Sequence, residues 1–106
     1  MFIAYTVALD AVRLLQPLIV AIGRRDADLA DQLSRASASV PLNLAEGRSR
    51  RGGDRTHHFR IARGSACESR AALDVAVARA LVAEAEARPA WLALDRVSRL
   101  VWPLTK

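Results

Sequence analysis

Apolar residues in this chain recur at intervals of three and four, and that spacing confines it to helices. Leu29, Leu33, Ala36, Val40 and Leu44 step by 4, 3, 4 and 4. Val7, Ala11, Leu14, Leu18 and Ile22 repeat those steps, with Ala8, Val12, Leu15 and Ile19 as a second stripe beside them. Phe59, Ala66, Leu73 and Ala80 recur every seven residues, joined by Ala62, Ala76, Val77 and Ala83, and Leu94, Val97, Val101 and Leu104 step by 3, 4 and 3. Each pattern keeps one face of an α-helix apolar. No stretch alternates with the period of two that a strand needs, so no turn dipeptide, Gly52-Gly53 included, joins two strand-like runs as a hairpin would.

Punctuation residues divide the pattern into four helices. The first is expected over 3–24, kinked at Pro17, which removes a backbone donor and crowds the preceding turn. Asp26 is the expected N-cap of the second, with Asp28 in its first turn facing the positive end of the helix dipole. Pro41 falls inside the second pattern, so a kink near Ser39–Pro41 is expected, with the helix fading over Gly47–Gly53. Asp54 is expected to cap a third helix over 55–87. That span is rich in Ala, the strongest helix former, and Ser65 to Arg88 holds no Gly or Pro. Pro89 suits the first turn of a fourth helix that Pro103 ends. Four amphipathic helices on short links, in 106 residues, make a single all-α domain, 1–106, folded as an antiparallel up-down four-helix bundle. The two stripes of the first helix suggest burial on two sides, either at the bundle centre or against another subunit.

Charge is distributed less evenly than the apolar residues. The net charge is +5. Residues 1–47 and 71–106 are each within one unit of neutrality, so the block 48–70 carries the whole excess. It holds Arg48, Arg50, Arg51, Arg55, Arg60, Arg63 and Arg70 against Asp54 and Glu68. Elsewhere, Asp31–Arg35, Glu84–Arg88 and Asp95–Arg99 fall at the i,i+4 spacing of helix-stabilising pairs. Within the block, Arg48, Arg51 and Arg55 follow at +3 and +4 with no acid between them on that face, and Arg60, Arg63 and Arg70 share another. Like charges so spaced oppose a helix. Any one of these Arg residues reads equally well as solubilising surface charge; the cluster as a group points to a polyanion.

Chemistry is excluded more readily than binding. One Cys, Cys67, rules out a disulfide framework and Cys-rich zinc modules, and fits a reducing cytoplasm. Cys67 lies amid Arg63 and Arg70, which lower a thiol pKa, although packing is the commoner role for such a residue. His57 and His58 are adjacent, so on a helix they diverge by about 100° and cannot chelate one metal. No H-E-x-x-H, no E-x-x-H pair and no phosphate loop with P-loop spacing occurs. No enzyme activity, cofactor or metal is expected. Asp10, Arg13, Gln16 and Pro17 interrupt the apolar N-terminal stretch, so neither a membrane span nor a signal is expected.

Two motifs stand out: Val40-Pro41-x-Asn43-Leu44-Ala45-Glu46-Gly47, then Ile61-Ala62-x-Gly64-Ser65-x-x-Glu68. Pro41, Asn43, Glu46, Gly47, Gly64, Ser65 and Glu68 read as a structural motif, with physical roles for four of them. A polar side chain at Asn43 satisfies backbone groups near the kink, Glu46 pairs with Arg50 or reaches the third helix, and small residues at Gly64 and Ser65 admit a close helix neighbour. The pattern resembles the bacterial four-helix-bundle family of ribosomal-RNA intervening-sequence proteins, with His58-Phe59 where that family usually has Phe-Leu. The resemblance implies a ring-like homopentamer, a relation to the accessory protein of diversity-generating retroelements, which works with a reverse transcriptase, and no catalysis. Two functions are then expected to compete. One is a basic accessory protein that binds RNA or DNA backbone through Arg48, Arg50, Arg51, Arg55, Arg60 and Arg63. The other is a scaffold whose Arg patch docks on an acidic protein such as a polymerase. Phe59 is the only aromatic in the block, which argues against base stacking.

Overall fold

All residues from Met1 to Lys106 are described by the structure, a computed structural model. Four helices follow in order: α1 (Ile3–Gly23), α2 (Ala27–Ser49), α3 (Gly52–Ala78) and α4 (Glu84–Val101), with a closing 3-10 turn at Trp102–Thr105. Successive helices pack on one another and α4 returns against α1, which closes the expected up-down bundle. It measures 43 × 22 × 19 Å.

The core forms two apolar layers. One joins Leu15, Leu18 and Ile22 of α1 to Leu29 and Leu33, Leu73 and Ala76, and Ala90 and Leu94. The other joins Ala4, Val7 and Ala8 to Val40 and Leu44, Phe59 and Ala62, and Val97 and Val101. Full burial of a side chain such as Leu15, Leu33 or Leu94 contributes about 1.5–3 kcal/mol. Ser37, Ser69 and Ser98 are buried among these apolar side chains. Ser37 and Ser69 donate to the carbonyls of Ser34 and Ser65, and Ser98 contacts Cys67 Sγ, so these hydroxyls are not left unpaired.

The second helix matches its expected face completely, and Asp26 caps it, accepting from the Leu29 N–H at 3.0 Å. Both α1 and α2 run on past Pro17 and Pro41. Elsewhere the structure corrects the sequence reading. The buried line of α1 passes through Leu15, leaving Leu14 exposed. Arg51, in extended backbone, is the N-cap of α3, and Asp54 lies in its first turn. Gly52 has φ +60, a left-handed conformation that favours glycine and turns the chain between α2 and α3. The third helix stops at Ala78 rather than residue 87, because a helix over 55–87 would be about 50 Å long and overrun the bundle. Its end is a Schellman turn: the Leu81 N–H reaches the Ala76 carbonyl and the Ala80 N–H the Val77 carbonyl, with Ala80 at φ 57. Leu81 and Val82 then fold back onto the core. Pro89 lies inside α4, not in its first turn. The donor it lacks would have served the carbonyl of Ala85, an exposed residue that water can satisfy.

By length and composition α1 alone could cross a membrane (21 residues, mean hydropathy 1.6), but seven of its residues are buried within the bundle.

Candidate nucleic-acid interface

The two core layers end at opposite poles of the bundle. One pole carries the α1–α2 and α3–α4 turns. The other gathers the start of α1, the end of α2, the start of α3 and the end of α4. All six expected binding arginines lie toward this second pole, and the structure sorts them into three kinds.

Arg50 is committed to the fold. As the C-cap of α2, it bridges Asp54 on α3 (3.0 Å) and Glu46 on α2 (3.2 Å). Those two carboxylates, Asp54 foremost, raise its pKa. The expected Glu46–Arg50 pair therefore forms and extends to the third helix.

Arg48, Arg51 and Arg55 surround the α2–α3 turn, and no carboxylate lies within 4 Å of any of them. The +3, +4 spacing does not describe one helix face here, because the chain turns between Arg48 on α2 and Arg51 at the start of α3. Aromatic rings hold two of the three. Arg48 lies 4.9 Å from the Phe2 ring centroid and Arg55 lies 5.6 Å from that of Phe59. A cation over an aromatic face gains about 0.5–1 kcal/mol at an exposed site. Unlike a carboxylate, the ring leaves the net charge intact.

Arg60 and Arg63 face the last turn of the chain. Arg60 Nε donates to the Thr105 carbonyl at 2.9 Å, and Arg63 lies 4.6 Å from the Trp102 centroid. Lys106 Nζ lies 4.8 Å from the same ring. Neither arginine nor Lys106 has a carboxylate partner. Arg70, grouped with Arg60 and Arg63 by sequence, is instead paired with Asp95, which also binds Arg99 at 3.0 Å. Of the other expected pairs, Asp31–Arg35 forms and Glu84–Arg88 does not.

The motif residues build the joint beneath this surface. Asn43 Nδ2 donates to the Ser39 carbonyl (2.9 Å) and Oγ (3.0 Å). That fixes the amide, so its Oδ1 accepts from His58 Nδ1 on α3 at 3.0 Å. Ser65 donates to Ser39 Oγ at 2.9 Å, closing a polar link between α2 and α3. Pro41 and Gly47 are buried. A Cβ on Gly47 would sit 2.7 Å from the Phe59 ring, so glycine is what lets Phe59 pack there. Gly64 corrects the expectation of a close helix neighbour: it is exposed, with nothing within 4 Å of a Cβ placed on it. Glu68 is exposed and His57 lies on the surface.

At Cys67, burial pushes the thiol pKa up. The Ser98 hydroxyl, then Arg70 and Arg63, outweigh that and leave it below its ordinary value. No three His, Cys, Asp or Glu side chains cluster as metal ligands.

The family of 23S rRNA-intervening sequence proteins matches residues 4–102. The chain belongs to that family. Among curated proteins, none matches its sequence. The fold is shared with the crystal structure of a protein of unknown function from the S23 ribosomal protein family of Bacteroides thetaiotaomicron VPI-5482. The two align with a TM-score of 0.86 over 97% of this chain and 98% of that one, at 17% identity. The intervening-sequence family indicates no enzymatic class, and the structural likeness carries the fold alone.

Proposed function

We propose that this intervening-sequence protein is a non-enzymatic accessory that binds the backbone of RNA or DNA through its α2–α3 pole. One observation carries the reading: Arg48, Arg51, Arg55, Arg60 and Arg63 crowd one pole without a carboxylate partner. Rings and a backbone carbonyl fix four of them, and neither neutralises charge. Such a surface is electrostatically incomplete, and phosphates complete it.

The proposal includes self-assembly into the homopentamer that the sequence resemblance implies. Ile3, Leu14 and Val20 leave apolar side chains exposed along α1, as does Leu92 on α4. A ring would cover apolar surface and repeat the basic pole five times, in the service of a polymerase such as a reverse transcriptase.

The test is binding of RNA and DNA oligonucleotides across salt concentrations, with light scattering to report subunit number. About five phosphate contacts per protomer give a log–log salt slope near −4.5, a loss of roughly 10²–10³ in affinity from 50 to 200 mM salt. No binding at ~50 mM salt sinks the reading. Recovery of a nuclease-resistant complex with an acidic protein instead would make the protein a docking scaffold.

A further inference from the structure

The groove beside Trp102 makes the nucleic-acid reading more specific. Arg60, Arg63, Gly64, Trp102, Thr105 and Lys106 line an open cleft of about 510 Å³, a volume within the usual range of ligand clefts. Three of the six are cations and none is an acid. Arg60 is held by its Nε–H on the Thr105 carbonyl and Arg63 by the Trp102 ring, so both are positioned before any ligand arrives. Gly64 forms part of the lining with no side chain, and nothing in the protein approaches it. The indole of Trp102 remains half-exposed in the midst of this charge.

We propose that this groove is a stacking subsite for single-stranded nucleic acid. A base lies on Trp102 while its flanking phosphates meet Arg60, Arg63 and Lys106, and the sugar passes over Gly64. This rests on the phosphate-binding reading above and adds a preference for unpaired bases. Lys106 is exposed on a flexible four-carbon stem, so it yields the ring face to a base and keeps its ammonium for phosphate. Phe59 cannot serve, being 3% exposed. Stacking on an aromatic side chain is sequence-tolerant, which suits a backbone binder, whereas a duplex hides its base faces.

The protein has two Trp residues, so a Trp91→Phe background leaves Trp102 as the sole reporter. In that background an oligothymidylate quenches the Trp102 fluorescence, and an abasic oligomer of equal length or a blunt duplex does not. Trp102→Ala weakens oligothymidylate binding about 10-fold and duplex binding less than about 2-fold, while Trp102→Phe retains most of the affinity. Gly64→Leu provides a second variant. It adds a side chain where there is open space, improves helix propensity, and obstructs the groove with a similar loss for single strands. Equal quenching by the abasic oligomer overturns the stacking subsite. So does unchanged single-strand affinity in both Trp102→Ala and Gly64→Leu while Arg51→Glu/Arg55→Glu still weakens binding about 100-fold; in that case the phosphate-binding pole stands without the groove. If no oligonucleotide binds at ~50 mM salt, both readings fall.

Discussion

The two poles of the bundle surround their arginines differently. At the pole of the α1–α2 and α3–α4 turns, Arg79 pairs with Asp26 at 2.8 Å and Arg25 donates to the Ala80 carbonyl. Arg24 and Arg88 stand there among Asp28, Asp74, Glu84 and Glu86. Toward the other pole, Arg48, Arg50, Arg51, Arg55, Arg60, Arg63 and Lys106 share the α2–α3 turn and the last turn of the chain with Glu46 and Asp54, while Asp10 and Asp95 on α1 and α4 are taken by Arg13, Arg70 and Arg99. Arg50 takes both Glu46 and Asp54. The remaining cations are held largely by Phe2, Phe59 and Trp102. A carboxylate fixes a guanidinium and cancels it; an aromatic face fixes it and leaves the field. One pole is therefore closed, its four arginines outnumbered by five carboxylates, and the other is open.

The strongest way to break this contrast is matched charge reversal. Arg51→Glu/Arg55→Glu and Arg24→Glu/Arg88→Glu change the net charge equally, and none of the four side chains makes an ion pair. The first pair should cost about 100-fold in oligonucleotide affinity at 0.1 M salt and flatten the salt slope. The second should cost less than about 5-fold. Equal losses in anisotropy titrations would mean that net charge alone governs binding and that the poles do not differ.

The next largest effect probes what supports the open pole. Gly47→Ala drives a methyl to within 2.7 Å of the Phe59 ring, whose face carries Arg55 and which packs edge-to-face with Phe2. Overpacking of this kind costs about 1–3 kcal/mol. The expected loss is about 4–8 °C in Tm per kcal/mol for a domain of this size, with a shifted aromatic signal in near-UV circular dichroism. An unchanged Tm would show that Phe59 moves freely, and that the ring does not fix the arginine above it.

Sequence periodicity made the helical class, the four elements, the α2 face and the Asp26 cap legible, because each is a local consequence of spacing and capping chemistry. It also marked the surplus charge and the motif joining α2 to α3. It could not divide the basic block, because the distinction between Arg50 and Arg51 depends on where the chain turns. Trp102 was missed for a similar reason: it lies 39 positions from Arg63 and meets it only once α4 has returned along α3. The end of α3 left no Gly or Pro signal, so propensity ran the helix on to residue 87. Burial of Val82, with Leu81 packed partly buried against the core, overrode it.

Removing the Asp26 side chain tests the closed pole. One carboxylate oxygen caps the Leu29 N–H and the other binds Arg79, so a single group ties α2 to the end of α3. Asp26→Ala should cost about 1 kcal/mol from the lost cap, and the exposed ion pair adds little. Oligonucleotide affinity should stay within about 2-fold, or rise slightly as Arg79 is released. A large loss of binding would mean that the poles are coupled through the bundle.

The smallest effect comes from Ala80→Gly, which should stabilise. Ala80 sits at φ 57, where its Cβ meets the neighbouring carbonyl and costs an L-residue about 1–2 kcal/mol. Glycine is relieved of that penalty but gives back part of the gain through the greater freedom of its unfolded chain. A net gain of about 0.5–1 kcal/mol should follow, a rise of several degrees in Tm. Ala80 is exposed, and its carbonyl still accepts from Arg25, so no packing is lost. Binding should not change, since the residue lies at the pole whose charges are already matched. If Ala80→Gly instead lowers the Tm, the left-handed turn is not where the strain resides. The early stop of α3 would then have to rest on the packing of Leu81 and Val82 against the core alone.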